Sequence, residues 1–218
     1  MMKRIGVEVN GVLRDTIGKF KQLYEKHMID EYESENSNQT FSLDLSGNTT
    51  VDDVEDKFEY KINTPIDTLN LINHFTFKND DELYDFMFED FPMQLFGHAG
   101  STETYTFNDL NEFYLNNRDK YEIFIISDEI GKSKPATLFF LSKFGCLVEN
   151  IKFYSSSTIE KMWETVDVLL TANPELLTEH PEDVTVIQFL TEYNQSINNN
   201  HKIETLKDFD DLITKLNL

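Results

Sequence analysis

The sequence predicts an α/β fold: a parallel β-sheet covered by helices on both faces, with a smaller module inserted after the first strand and helix. Three observations predict it. Short apolar runs alternate with helical stretches along most of the chain. The run Glu122 to Ser127 is apolar almost throughout, as in a strand buried on both faces. Between about residues 30 and 105 this rhythm gives way to an acidic, aromatic-rich block. The 218 residues suit one α/β domain of about 150 residues with an insert of about 70. With 18 Phe and 9 Tyr but only 8 Gly and 5 Pro, the composition is that of a folded chain and not a disordered one.

Ile5 to Val9 reads as a buried strand, and Asn10-Gly11 as the turn leaving it. A helix follows, because Leu13, Ile17, Phe20, Leu23 and Tyr24 recur at three- and four-residue steps. From about Asp30 to Ser46, clustered Ser, Asn and Glu mark a linker. Asp56 to Ile62 places Phe58, Tyr60 and Ile62 at every second position, a half-buried strand pattern. Asn79 to Glu82 forms a capping box for a helix carrying Leu83, Phe86, Met87 and Asp90, limited by Pro92, and its aromatic stripe is expected to be core. Thr106 and Asp109 cap the next helix, with Leu110, Phe113 and Tyr114. After the strand at 122–127, Ser133 and Pro135 open a helix that Gly145 closes. Ile151 to Tyr154 is a strand, Thr158 to Glu164 a helix, Val166 to Leu170 a strand, and Val184 to Phe189 the last strand. A final helix begins at Thr205 to Asp208. The expected organisation is a core of residues 1–29 and 106–218 with residues 30–105 as an acidic, aromatic-rich cap.

The formal charge is −21, from 40 acidic and 19 basic residues. A surface field of that sign repels phosphates, so direct nucleic-acid binding is not expected. The block from Asp30 to Tyr105 holds 18 Asp and Glu against Lys57, Lys61 and Lys78, and reads as a solvated acidic face or a docking surface for a basic partner. No stretch approaches the roughly 20 apolar residues of a membrane span, and the N-terminus shows no signal-peptide pattern, so a cytoplasmic or other intracellular location is expected. Cys146 is the single cysteine and reads as a small buried hydrophobe. Five scattered histidines show no zinc-site spacing, and no Walker-type loop or nucleophile elbow is present.

In a parallel sheet, ligands sit beyond the carboxyl ends of the strands, which here are Glu8 to Asn10, Ser127, and Thr171-Ala172. At these ends the chain resembles the haloacid dehalogenase-like superfamily and, within it, the 5'(3')-deoxyribonucleotidase-like branch. The segment Val7 to Thr16 has the shape of the family's first motif, Asp-x-Asp-Gly-Val-Leu. Ile123 to Ser127 is similar to the second, an apolar strand ending in Ser or Thr, and Gly131 to Leu138 to the helix after it. Asp167 to Pro174 aligns with the fourth motif, in which two acids precede Asn-Pro, and Lys161 holds the place of the third-motif lysine. Tyr193-Asn194-Gln195 and the closing helix resemble the nucleotidase C-terminus. The resemblance spans about two-thirds of the chain and implies a Rossmann-like core with the insertion as its cap.

It also implies altered chemistry. The family's nucleophile and acid-base aspartates fall on Glu8 and Asn10, and its fourth-motif acids on Thr171 and Ala172. A glutamate shifts the attacking oxygen by about 1 Å, a displacement that can cost about a hundredfold. An asparagine cannot exchange the proton, which removes a further ~10²- to 10⁴-fold. Glu8 is then the one matched carboxylate for Mg²⁺, so the family's metal site is expected to be lost and no cofactor is expected. Glu8 and Lys161, with Ser127 and Asn10, are expected to fill the vestigial pocket as an ion pair with its hydrogen bonds. Asp128, Glu129 and Asp167 are expected in surface or capping roles. The function expected is that of a catalytically inactive structural or assembly component, acting through protein partners or as a homo-oligomer. The abundance of Asn, Lys, Ile, Phe and Tyr leaves a phage virion open as its setting. The alternatives are a weakly active nucleotide phosphatase and a nucleotide-binding regulator.

Overall fold

The computed structural model of the chain describes residues 2–30, 32 and 58–216. Six strands, β1 (Lys3–Glu8), β2 (Tyr121–Ser127), β3 (Asn150–Phe153), β4 (Val168–Thr171), β5 (Thr185–Phe189) and β6 (Lys202–Ile203), form one sheet in the order β3-β2-β1-β4-β5-β6. Every pairing is parallel. Val7 lies opposite Ile125 of β2 and Leu170 of β4, which puts the most apolar strands at the centre.

Side-chain alternation then builds a core on each face. Ile123 and Ile125 join Val168 and Leu170 on one face, packed by α3 (Thr106–Asn117), α4 (Ser133–Lys143) and α7 (Phe209–Lys215) through Leu110, Phe140 and Phe209. Phe124, Ile126 and Leu169 point to the other, against Trp163 of α5 (Ile159–Trp163) and Leu176 of α6 (Pro174–Thr178). Each such side chain stabilises by about 1.5–3 kcal/mol when fully buried. On this second face β1 is thinned by Gly6, where a Cβ would stand 2.9 Å from both Ile126 and Val166. The α/β class and the two covered faces are as the sequence predicts.

A third cluster belongs to the insertion. Tyr60, Phe75, Phe86, Leu95 and Phe96 pack with Phe20, Leu23 and Tyr24 of α1 (Thr16–Tyr24), and Ala136 of α4 joins them. Phe20 stands edge-on to Phe75 and Phe86 at 4.7 and 5.3 Å. The aromatic stripe of α2 (Asp80–Tyr84) and its widened continuation Asp85–Asp90 is therefore core, as expected. Asn79 caps α2 by accepting from the Glu82 N–H, while the Glu82 carboxylate accepts from the Lys78 N–H instead of closing the box on Asn79.

Several local expectations are corrected. In the described part of 56–62 there is no strand: Ile62 makes a single antiparallel bridge to Phe75, and the alternating rings are held by the cap core. Leu13 lies before α1, which starts at Thr16 with Asp15 as its cap. Thr106 is the first residue of α3 and not its cap, its hydroxyl bonding the Glu103 backbone. Phe189 does not end the sheet, since β6 follows it on the edge. The linker from about Asp30 to Ser46 lies, apart from Asp30 and Tyr32, outside the described residues.

Candidate functional site

The three central strands stop at the same level, and their last residues, Glu8, Ser127 and Thr171, are fully buried polar side chains. The loop after β1 folds tightly, with the Leu13 and Arg14 N–H groups donating to the Val9 carbonyl and the Gly11 N–H to that of Arg14. Gly11 has φ 77°, and a Cβ there would meet the Tyr193 hydroxyl at 2.0 Å, so both the backbone and the neighbour require glycine.

Glu8 accepts from two hydroxyls, Tyr154 Oη at 3.0 Å on Oε1 and Thr171 Oγ1 on Oε2. Burial, reinforced by the neighbouring Asp128, pushes its carboxyl up to about 8. Thr171 also accepts from the Asn173 N–H, and Asn173 in turn caps α6, so the sequence Thr-Ala-Asn-Pro is a strand end joined to a helix start. Asn194, fully buried, donates to the carbonyls of Ala172 and Phe189 and ties the later loop to β4 and β5. The Ser127 hydroxyl is buried without a partner among the described residues.

Arg14 is a site residue that no local sequence pattern singles out. Its side chain is fully buried, and all five guanidinium N–H groups have acceptors. Nε faces Asn10 Oδ1 and Thr16, Nη1 donates to the Phe96 carbonyl at 3.0 Å and Thr137 at 2.7 Å, and Nη2 donates to Asn10 Oδ1 at 2.6 Å and to Glu129. The rings of Phe96 and Phe140 lie 5.0 and 5.3 Å from the guanidinium carbon. Asn10 completes the network by donating from Nδ2 to Asp128 at 2.6 Å and Glu129 at 3.1 Å. Burial raises the Glu129 carboxyl above its ordinary value against the pull of Arg14, and Glu129 Oε2 has no partner among the described residues.

Glu8, Asn10, Ser127, Thr171 and Ala172 are thus brought to one end of the sheet, while Lys161 is not joined to them. Lys161 is exposed on α5 and makes no ion pair among the described residues, so the expected Glu8–Lys161 pair is corrected: two hydroxyls hold Glu8 instead. Glu129, expected at the surface, is 2% exposed and is the ion-pair partner of Arg14. Asp167 keeps the surface role expected of it: 35% exposed, it receives the Arg4 guanidinium and Arg4 N–H at the opposite end of the sheet, and that contact holds its carboxyl below the ordinary value. Cys146 is partly buried against the sheet core, and burial raises its thiol.

Above these strand ends lies a cavity of about 740 Å³ between sheet and cap. Its floor is Glu8, Asn10, Asp128 and Glu129, and its walls include Phe20, Phe88, Phe96 and Tyr193. Five carboxylic acids line it and, among the described residues, no lysine, arginine or histidine does. Among these residues no group of three or more His, Cys, Asp or Glu is placed to hold a metal ion, and no helix is long and apolar enough to cross a membrane.

No family model matches the sequence, and no curated protein matches it. Solved structures do match. A protein described as a haloacid dehalogenase-like hydrolase from Burkholderia xenovorans superposes with a TM-score of 0.57 at 12% identity, covering all of both chains. The HAD-hydrolase YfnB of Bacillus subtilis, crystallised with magnesium, gives a TM-score of 0.50 at 13% identity over 100% of this chain and 99% of that one. The parallel six-stranded sheet with its covered faces agrees with that likeness: the chain has the fold of the haloacid dehalogenase-like hydrolases.

Proposed function

We propose that this chain uses the haloacid dehalogenase-like fold to bind and not to transfer phosphoryl groups, as a structural or assembly component whose partner is another protein or a second copy of itself. The state of Glu8 carries the reading. Glu8 is fully buried, its two oxygens are held by the Tyr154 and Thr171 hydroxyls and burial pushes its carboxyl up to about 8, so it presents no free anionic oxygen, whereas attack on phosphorus needs one. Asn10, Thr171 and Ala172 at the other strand ends are read here as altered positions of deoxyribonucleotidase-like motifs. Magnesium does not fit this donor set. Both Glu8 oxygens are engaged by hydroxyls, Asn10 Oδ1 is taken by Arg14 and Thr16, and Ala172 has no side-chain donor, although Mg²⁺ requires near-octahedral oxygen ligation. Among the described residues, a phosphate would meet no lysine or arginine on the cavity wall.

For partner contacts, Phe75 and Phe86 of the insertion are unavailable, since they are buried in its core, whereas Tyr84 and Tyr105 are exposed. Met93 and Phe139, both exposed and both beside Gly97, with exposed Leu138, offer an apolar alternative. The test of the catalytic half is phosphate release from deoxynucleoside monophosphates and p-nitrophenyl phosphate, with and without Mg²⁺, beside Glu8→Ala. Equal, background release from both proteins is expected. Metal-dependent release that Glu8→Ala abolishes would overturn the proposal.

A further inference from the structure

The strand-end cavity has a chemistry of its own. At about 740 Å³ it falls within the range of small-molecule sites. One wall is aromatic, with Phe88 and Phe96 stacked at 5.7 Å, and Phe20 and Tyr193 close by. The other pole is acidic. Asp128 is half-buried, and Glu129 is 2% exposed with a carboxylate oxygen that no described residue satisfies. A buried acceptor without a donor is costly, by about 1–3 kcal/mol, and a ligand N–H group would relieve that cost. Arg14 cannot turn this pole toward anions, because all five of its N–H groups are already accepted and it does not line the cavity.

We propose that this cavity binds a small organic cation: a primary ammonium on an apolar, ring-bearing body, the ammonium against Asp128 and Glu129 and the ring among Phe20, Phe88 and Phe96. The assignment rests on the non-catalytic reading above and gives that site a ligand class. An ammonium supplies three donors to an acceptor-only pole, and aromatic faces favour a neighbouring positive charge. A carboxylate or phosphate of the same size would face Asp128, Glu129, Asp67 and Glu175 with no counter-charge on the wall among the described residues.

Isothermal titration with three probes that share a ring and differ in head group tests the assignment: phenethylamine, 2-phenylethanol and phenyl phosphate. Phenethylamine is expected to bind 1:1 with a Kd on the order of 1 mM or tighter, as a ligand of about nine heavy atoms allows, and the other two not at all. Asp128→Asn keeps an acceptor for Asn10 and removes the charge, so a loss of at least about tenfold is expected with the melting temperature unchanged. Phe88→Ala, which removes a ring from the lining, should weaken the amine as well. Equal binding of amine and alcohol, tighter binding of the phosphate, no binding of the amine, or an amine affinity indifferent to Asp128→Asn would each overturn the assignment. Phosphate release measured on the same preparation separates the two proposals. Mg²⁺-dependent turnover defeats the non-catalytic reading, whereas a silent amine titration in an inactive protein defeats only the ligand.

Discussion

Glu8 links one side chain to a pH profile. Its folded-state value of about 8 lies above the ordinary glutamate value, so between these two the folded chain holds a proton that the unfolded chain has released. Stability from this group is complete below the unfolded value and is lost as pH rises through about 8, by an amount on the order of a few kcal/mol. Urea midpoints from pH 5 to 9 should fall more steeply in the native protein than in Glu8→Gln, and parallel curves would mean that Glu8 is ionised when folded. Arg14 gives a second prediction. Arg14→Met strands Glu129 in the interior and should cost about 3–5 kcal/mol, while adding Glu129→Leu should recover most of it, measurable as a double-mutant cycle. The two residues differ in how far the sequence announces them. Glu8 closes an apolar strand, and a strand end in a parallel sheet is where ligands meet side chains. Arg14 follows a strand and a turn like any solvated arginine. What buries it is a carboxylate 115 residues away and two rings from the cap and α4, which no local pattern contains.

Among the elements, the strands with continuous apolar runs could be read directly, because burial on both faces leaves that signature. β6 could not, since two residues carry no period. The alternation at 58–62 misled for a different reason: the cap core takes Tyr60 as a ring in an aromatic cluster, whatever the backbone does. β1 is legible as a strand, but its tolerance is not. A Cβ on Gly6 would press on Ile126 and Val166 from the middle of the sheet. Gly6→Ala should therefore destabilise by about 1–3 kcal/mol, and Val166→Ala in the same chain should return part of the loss, read as urea midpoints. Failure of the second change to help would place the strain elsewhere.

At the scale of the molecule, charge and architecture oppose each other. A net −21 on 218 residues repels itself, and the folded state concentrates that charge. The melting temperature should rise between low salt and about 0.5 M NaCl, as screening shortens from roughly 30 Å toward a few Å, and a flat response would mean that local pairs already compensate. The likeness in fold to the two solved hydrolases extends over the whole chain at about 12–13% identity, so very different sequences build this one architecture. The amide of Asn10, a donor to both Asp128 and Glu129, fixes which side chain this corner accepts. Replacing it with aspartate would remove both hydrogen bonds and set a third carboxylate against the other two. An acid at this position is thus opposed by its own neighbours, and the corner tolerates the amide because it alone can donate to both carboxylates while accepting from Arg14.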